Sequence, residues 1–140
     1  MLAIDSIEFE EEPDKEFKLN SVIESKEDAK KILNELFKMN PKEEAVAMIT
    51  LNSNDRINGI AALMIGGDAL EKVGTDDLFY KALALEADSI ILGYNKTGRI
   101  NTDSYNYQFN EFLLKQAEEF RIEVKYNLVL LDSNKWININ

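Results

Sequence analysis

The sequence has 140 residues, 45% of them hydrophobic and 30% charged, which suits a soluble globular protein with one sizeable core. It contains no histidine and no cysteine, which excludes imidazole bases, nucleophile pairs that depend on histidine or a thiol, disulfides and the two commonest zinc ligands. The formal net charge of −10 disfavours nucleic acid as a partner, and no apolar run approaches the roughly 20 residues that a membrane helix needs.

The acidic charge is concentrated at the start of the chain. Residues 1–28 carry ten acids against three lysines, whereas residues 29–140 carry sixteen acids against thirteen bases. This start predicts a solvated arm that aids solubility or, alternatively, a docking segment for a basic partner. Within residues 1–23 we expect a peripheral strand or hairpin, since Phe17–Asn20 alternates apolar and polar residues. The first residues lack the basic flank and apolar stretch of a signal peptide, so a cytoplasmic protein is expected.

Three helices are predicted, at residues 26–39, 75–87 and 104–120. Ser25 and Asp28 form a capping-box pattern before the first helix. Thr75 is expected to cap the second helix through its hydroxyl, and Asp76 and Asp77 then complement its positive first turn, an interpretation favoured over a metal-ligand role. Residues at helical spacing form one stripe on each helix: Ala29, Ile32, Leu33, Leu36 and Phe37 on the first, Leu78, Phe79, Ala82, Leu83 and Leu85 on the second, and Tyr105, Phe109, Phe112, Leu113, Gln116 and Phe120 on the third.

Strands are predicted between and after these helices, at residues 44–52, 57–65, 89–93, 122–131 and 135–139. The strand at 44–52 is apolar on both faces and should be central in a sheet, with 57–65 as its antiparallel partner. The order of elements predicts one domain over residues 1–140, of the α/β (α+β) class, with helices packed on a mixed sheet.

A glycine-bracketed loop, Gly93–Gly98, follows the strand that ends at residue 93, at a place where chemistry is common. It is not a P-loop, because that motif requires Lys-Ser/Thr directly after its second glycine and here Arg99 follows Gly98. Lys96 and Arg99 can still hold an anion together with the loop amides, although such residues more often only solvate a loop.

The landmarks along residues 20–140 resemble the RadC-type JAB/MPN domain, the bacterial branch of the zinc-dependent JAMM peptidase fold. The resemblance implies a mixed sheet flanked by about three helices, in a cytidine-deaminase-like architecture. It is carried by five segments, each with a counterpart in the family. They are residues 44–52 (the strand that begins with a glutamate and ends in Leu-Asn), 54–57 (a hairpin turn), 63–66 (a strand end at glycine), 88–92 (the strand before a His-Asn-His-Pro-Ser-Gly loop) and 122–129 (the strand that carries Asp-His).

The resemblance also implies where a zinc site should be, and the chain departs from the family there. In an active member, two histidines and an aspartate bind zinc, and a glutamate acts as general base through a zinc-bound water. Glu44 matches that glutamate. Tyr94 and Lys96 stand at the two histidine positions, in a loop about one residue shorter, and Asn106 stands at the aspartate position. The remaining binding candidates are Asn95, Thr97, Arg99 and the Tyr126-Asn127 pair that replaces Asp-His.

These replacements predict a catalytically inactive domain without zinc or another cofactor, acting as a protein-interaction or binding module. Its partner is an unidentified protein, with a homodimer as the alternative, and neither nucleic acid nor membrane is expected. Lys96 is hypothesised to pair with Glu44, in place of the charge of the lost cation. Two rival functions stay open. One is a hydrolase that uses Glu44 with Lys96, or a metal held by oxygen ligands. The other is a small-anion or nucleotide sensor at the Tyr94–Arg99 loop.

Overall fold

The computed structural model describes residues 7–8, 21–38, 45–65, 74–95, 105–130 and 136–138. Within these residues a six-stranded sheet has the order β1-β3-β2-β4-β5-β6. Its strands are β1 (Ile7–Glu8), β2 (Ala45–Leu51), β3 (Ile57–Ile65), β4 (Ser89–Asn95), β5 (Glu123–Leu130) and β6 (Trp136–Asn138). Neighbours pair antiparallel except β4 and β5, which are parallel. The prediction of a mixed sheet is therefore confirmed.

Three helices are described, and they cover the two faces of the sheet: α1 (Lys26–Lys38), α2 (Thr75–Ala84) and α3 (Tyr105–Phe120). One core cluster joins the apolar stripe of α1 to one face of the sheet, and a second joins α2 and α3 to the other. We call these the α1 face and the α2–α3 face. The α+β class with about three flanking helices is as predicted. No described helix combines the length and the apolar character needed to span a bilayer.

Strand β2 lies at the centre of the sheet, as its sequence predicted. It pairs with β3 on one side and with β4 on the other. Val46 and Met48 are buried on the α2–α3 face, while Ala47 and Ile49 are buried on the α1 face. A strand buried on both faces has no polar side to show, which is why its sequence does not alternate. At the edge of the sheet, β1 pairs with β3. Phe17–Asn20, whose pattern predicted a peripheral strand, lies outside the described residues.

The helix starts differ from the predicted caps. The carboxylate of Asp28 accepts a hydrogen bond from the backbone N–H of Glu24 at 2.8 Å, one residue earlier than a capping box with Ser25 requires. Helix α2 has Gly74 as its N-cap, without a side-chain capping bond, so the prediction that Thr75 caps this helix was wrong. Thr75 is instead the first helical residue and is buried. The helix can begin in this way because glycine is accepted at the N-cap position, which leaves the side chain of Thr75 free to be buried.

Among the described side chains of the predicted helix stripes, two are exposed. Leu83 on α2 is 46% exposed and Phe112 on α3 is 54% exposed. Their neighbours Leu78 and Ala82 on α2, and Leu113 on α3, are fully buried and already fill the space above the sheet. A helix on a sheet buries only the middle of a wide apolar stripe, so residues at its margin stay in solvent.

Candidate functional site

The predicted site lies at the end of the sheet where β4 stops and β2 begins. Ala45 pairs with Asn95 and Val46 pairs with Tyr94. Strand β4 runs two residues beyond the predicted Gly93, so Tyr94 and Asn95 belong to the strand and not to the loop. Beside it, β5 runs parallel and α3 is the helix between the two strands. The carboxyl ends of parallel strands in such a unit are where ligands commonly bind.

The structure describes only part of the predicted set of site residues. Glu44, Lys96, Thr97 and Arg99 lie outside the described residues, so the Glu44–Lys96 pairing stays a hypothesis. Asn95 is the last residue of β4 and Asn106 is the second residue of α3, each described by its backbone. The side chains that can be compared with the prediction are those of Tyr94, Tyr126 and Asn127.

Tyr94 belongs to the hydrophobic core on the α2–α3 face. It is 1% exposed and is among the largest fully buried side chains. Its strand neighbours are Val46 on β2 and Val129 on β5, both of them buried on the same face. An aromatic ring in this place fills space that a smaller zinc-binding side chain would leave for the metal and its water.

A β-bulge in β5 turns Tyr126 to the α1 face and Asn127 to the α2–α3 face of the sheet. Ile90 pairs with Val124, but Ile91 pairs with Tyr126, so Lys125 is an extra residue in β5. Tyr126 consequently packs against the core of the α1 face. Asn127 points the other way and meets α3. The structure therefore brings Tyr94 and Asn127 to one face and separates Tyr126 from them, because a bulge shifts the alternation of a strand by one residue.

Asn127 is tied to a residue that the sequence did not single out. Its Nδ2 donates a hydrogen bond of 2.8 Å to Oδ1 of Asn110 on α3. Asn127 is 0% exposed and Asn110 is 8% exposed. The backbone N–H of Asn127 donates to Oδ1 of Asn138 at 3.1 Å, whereas its own Oδ1 is buried and accepts no hydrogen bond from any described residue. Asn110 could have been found from its spacing, since it lies three residues before Leu113 and seven before Ala117, on the buried side of α3.

A second polar contact of β5 lies at the opposite end of the sheet. Nζ of Lys125 is 2.8 Å from Oδ1 of Asp55, which sits in the turn between β2 and β3 with a φ of 62°. The hydrogen bond to Asp55 raises the pKa of Lys125 above its ordinary value, against an opposing effect of burial. Lys125 is therefore a protonated partner of this turn, and the pair connects the bulge of β5 to the β2–β3 hairpin.

The residues at the ligand positions do not fit zinc. No three His, Cys, Asp or Glu side chains come together as a metal site in the part of the chain that the structure describes. The three ligand positions that the resemblance implies carry the phenol of Tyr94, the ammonium of Lys96 and the amide of Asn106. Zinc prefers thiolate, imidazole and carboxylate ligands, and a lysine ammonium has no lone pair to give. Among the described side chains, Tyr94 contributes to the core and Asn127 donates a neutral hydrogen bond to Asn110.

The chain matches a known protein family over most of its length. Residues 23–138 match the RadC-like JAB domain family. No curated protein matches the chain. Since the match spans most of the sequence, the chain belongs to the RadC-like JAB domain family, in a form whose zinc ligands are replaced.

Proposed function

We propose that this RadC-like JAB domain is catalytically inactive and acts as a protein-interaction or binding module. One observation carries the proposal. Tyr94, at the position of the first zinc-binding histidine, is buried in the core beside Val46 and Val129. A zinc hydrolase needs an open coordination position that water and substrate can reach, and a buried aromatic ring in the core does not offer one.

The chemistry of the whole sequence supports the same conclusion. With no histidine and no cysteine in 140 residues, a family member must rely on oxygen ligands alone to bind a metal. Oxygen ligands favour Mg²⁺, Ca²⁺ or Mn²⁺ over the zinc of the active family. Among the zinc ligands and the general base, Glu44 alone matches the active members, and a carboxylate base without a metal-bound water has no evident nucleophile to activate.

The contact of Asn127 supports a structural use of the former site. Its amide donates to Asn110 and so connects β5 to α3 inside the α2–α3 face. A buried hydrogen bond between neutral amides specifies how these two elements pack, and it has no role in moving protons. The net charge of −10 makes another protein a better partner than a nucleic acid.

Metal content tests the proposal directly. The protein is purified in the presence of zinc and manganese, dialysed, and measured by inductively coupled plasma mass spectrometry. We expect well below one metal ion per chain, and no hydrolysis of peptide or isopeptide substrates above a buffer control. Retention of one zinc or manganese per chain, lost in Glu44→Ala, would overturn the proposal. The matched control is Glu35→Ala, a glutamate on α1, for which metal content should not change.

A further inference from the structure

Helices α2 and α3 lie side by side and run in the same direction. Nε2 of Gln116 donates to Oδ1 of Asp76 at 2.5 Å. About one turn further along each helix, the ring of Phe120 stacks on Phe79 with centroids 5.2 Å apart. Two contacts that advance together along both helices define a parallel pair. The side of α3 that carries Gln116 and Phe120 therefore faces α2.

Large apolar side chains are exposed along the line where these helices meet. Tyr80 is 60% exposed, although its ring contacts Phe120 edge-on with centroids 5.5 Å apart. Leu83 follows one turn later on α2, and Phe112 lies one turn before Gln116 on α3, and both are exposed. We call Tyr80, Leu83, Phe112 and Phe120 the aromatic seam. Eight residues separate Phe112 from Phe120, which is about 12 Å at 1.5 Å per residue.

The core of the α2–α3 face is complete without the exposed side chains of the seam. The buried stripes beneath the seam already cover the sheet with Leu78, Ala82, Leu113 and Ala117. Among the described residues, four large hydrophobic side chains are exposed, and three of them are in the seam. The fourth, Val22, lies before α1. Single exposed apolar residues are ordinary, whereas three on the same side of a helix pair suggest an interaction surface.

The charges around the seam indicate what kind of partner fits it. Helices α2 and α3 together carry five acids and two lysines, a net charge of −3, and α1 on the other face carries four lysines and three acids, a net charge of +1. The five acids are all exposed: Asp76, Asp77, Glu111, Glu118 and Glu119. A second copy of this chain, or its own acidic start, would bring like charge to the seam.

We propose that the aromatic seam docks an amphipathic helix of a partner protein, one with apolar anchors flanked by lysines or arginines. Such a helix can place its anchors against Tyr80, Leu83 and Phe112 while its basic residues meet exposed acids of α2 and α3 that lie next to the seam, such as Glu119. The inference rests on the interaction role proposed above and gives that role a surface and a partner class. It does not depend on the residues at the former zinc positions.

The test uses the full chain and two labelled peptides of about 18 residues, long enough for about five helical turns. One has leucines at helical spacing and lysines elsewhere, and the other has glutamates in place of the lysines. Fluorescence anisotropy measures their binding to the wild type and to Tyr80→Ser, Phe112→Ser and the double variant. Val22→Ser is the matched apolar control. Circular dichroism checks that each variant is folded. We expect them to fold, because the replaced side chains are exposed.

A matched pair of charge variants on α3 tests the electrostatic part of the proposal. Successive helical residues are about 100° apart, so Glu119 lies next to the seam side of α3, whereas Glu118 points away from it. Glu119→Lys should weaken binding of the lysine peptide several-fold more than Glu118→Lys. General attraction between an acidic protein and a basic peptide would make the two variants equal, and equal effects would contradict the proposal.

We expect the lysine peptide to bind, the glutamate peptide to bind at least tenfold more weakly, and the Tyr80→Ser/Phe112→Ser variant to lose tenfold or more, with Val22→Ser unchanged. Tenfold corresponds to the loss of one well-placed anchor. Failure of the lysine peptide to bind would overturn the inference, as would seam variants that bind it like the wild type. So would a dimer seen by sedimentation and abolished by Phe112→Ser, because a second copy would then occupy the seam. A retained metal ion would instead overturn only the proposed inactive role, so the two failures are distinguishable.

Discussion

The buried pair of asparagines offers a quantitative test of how the former site is used. Replacing Asn110 with leucine removes the acceptor of the 2.8 Å bond and leaves Nδ2 of Asn127 buried without that partner. Leaving a buried amide group unsatisfied costs about 1–3 kcal/mol. Replacing Asn127 with leucine likewise leaves Oδ1 of Asn110 without its donor, at a similar cost in free energy of unfolding. Each single variant should therefore be about 2 kcal/mol less stable than the wild type.

The double variant is expected to behave differently. Asn110→Leu together with Asn127→Leu removes both amides, including the Oδ1 of Asn127 that accepts no bond from a described residue. Replacing both partners of a buried hydrogen bond by apolar groups of similar shape is close to neutral. The double variant should then lie within about 1 kcal/mol of the wild type, and the coupling energy between the two positions should be about 3 kcal/mol.

Urea unfolding followed by circular dichroism measures all four free energies of unfolding. The exposed pair Glu27 and Lys30, 3.3 Å apart on α1, gives the reference for a surface contact. Its coupling energy should be only a few tenths of a kcal/mol. If the losses of unfolding free energy of the two single variants simply add in the double variant, the two amides do not depend on each other. The proposal that their hydrogen bond connects β5 to α3 is then refuted.

Three further changes have outcomes that the structure predicts. Gly93→Ala should lower the free energy of unfolding in urea by about 1–3 kcal/mol, since an added Cβ would lie 2.7 Å from Cδ2 of the fully buried Leu33. Gly74→Ala, whose Cβ would meet only Asp77 at 3.5 Å, is the control and should lower it clearly less. Tyr94→Ala should cost about 3–5 kcal/mol and exposed Tyr80→Ala about 1 kcal/mol, so equal losses would contradict the burial of Tyr94. The pKa of Lys125 is raised in the folded state, so the stability from its pair with Asp55 is fully present below pH 10.5 and is lost as pH rises through the folded-state pKa. Because the pair is partly exposed, the alkaline loss should be a few tenths of a kcal/mol, and it should be absent in Asp55→Asn, which keeps a residue tolerant of a φ of 62°.

The sequence predicted most of the fold because its elements carry strong periodic signals. An uninterrupted apolar run marked β2 as central, and the stripe of α1 placed Ala29, Ile32, Leu33 and Leu36 in the core. The margins were harder to predict. A helix stripe does not show where burial stops, so Leu83 and Phe112 could not be told apart from their buried neighbours, and nothing local showed that Thr75 would be buried inside α2.

The candidate site could not be predicted in detail. Tyr94 was expected in the loop after β4, but it belongs to that strand, and its burial depends on what packs above β4. Asn110 is one of several asparagines near the start of α3; its spacing from Leu113 places it on the buried side, but the sequence carries no signal for its partner on β5. The bulge at Lys125 has no local signal, since the sequence there contains neither glycine nor proline. It follows from the pairing of β4 with β5, which a single strand does not encode.

That bulge links the altered site to the rest of the domain. If β5 kept an even alternation from Val124, Tyr126 would point to the α2–α3 face and Asn127 to the α1 face. The extra residue reverses both, so that Asn127 meets Asn110 and Tyr126 packs over α1. The same extra residue, Lys125, contacts Asp55 at the far end of the sheet. The bulge therefore lies between the turn at Asp55 and the Asn127 contact with α3, the helix that carries Phe112 and Phe120. We expect the interaction surface proposed on α2 and α3 to be more sensitive to the register of β5 than to any substitution of Glu44.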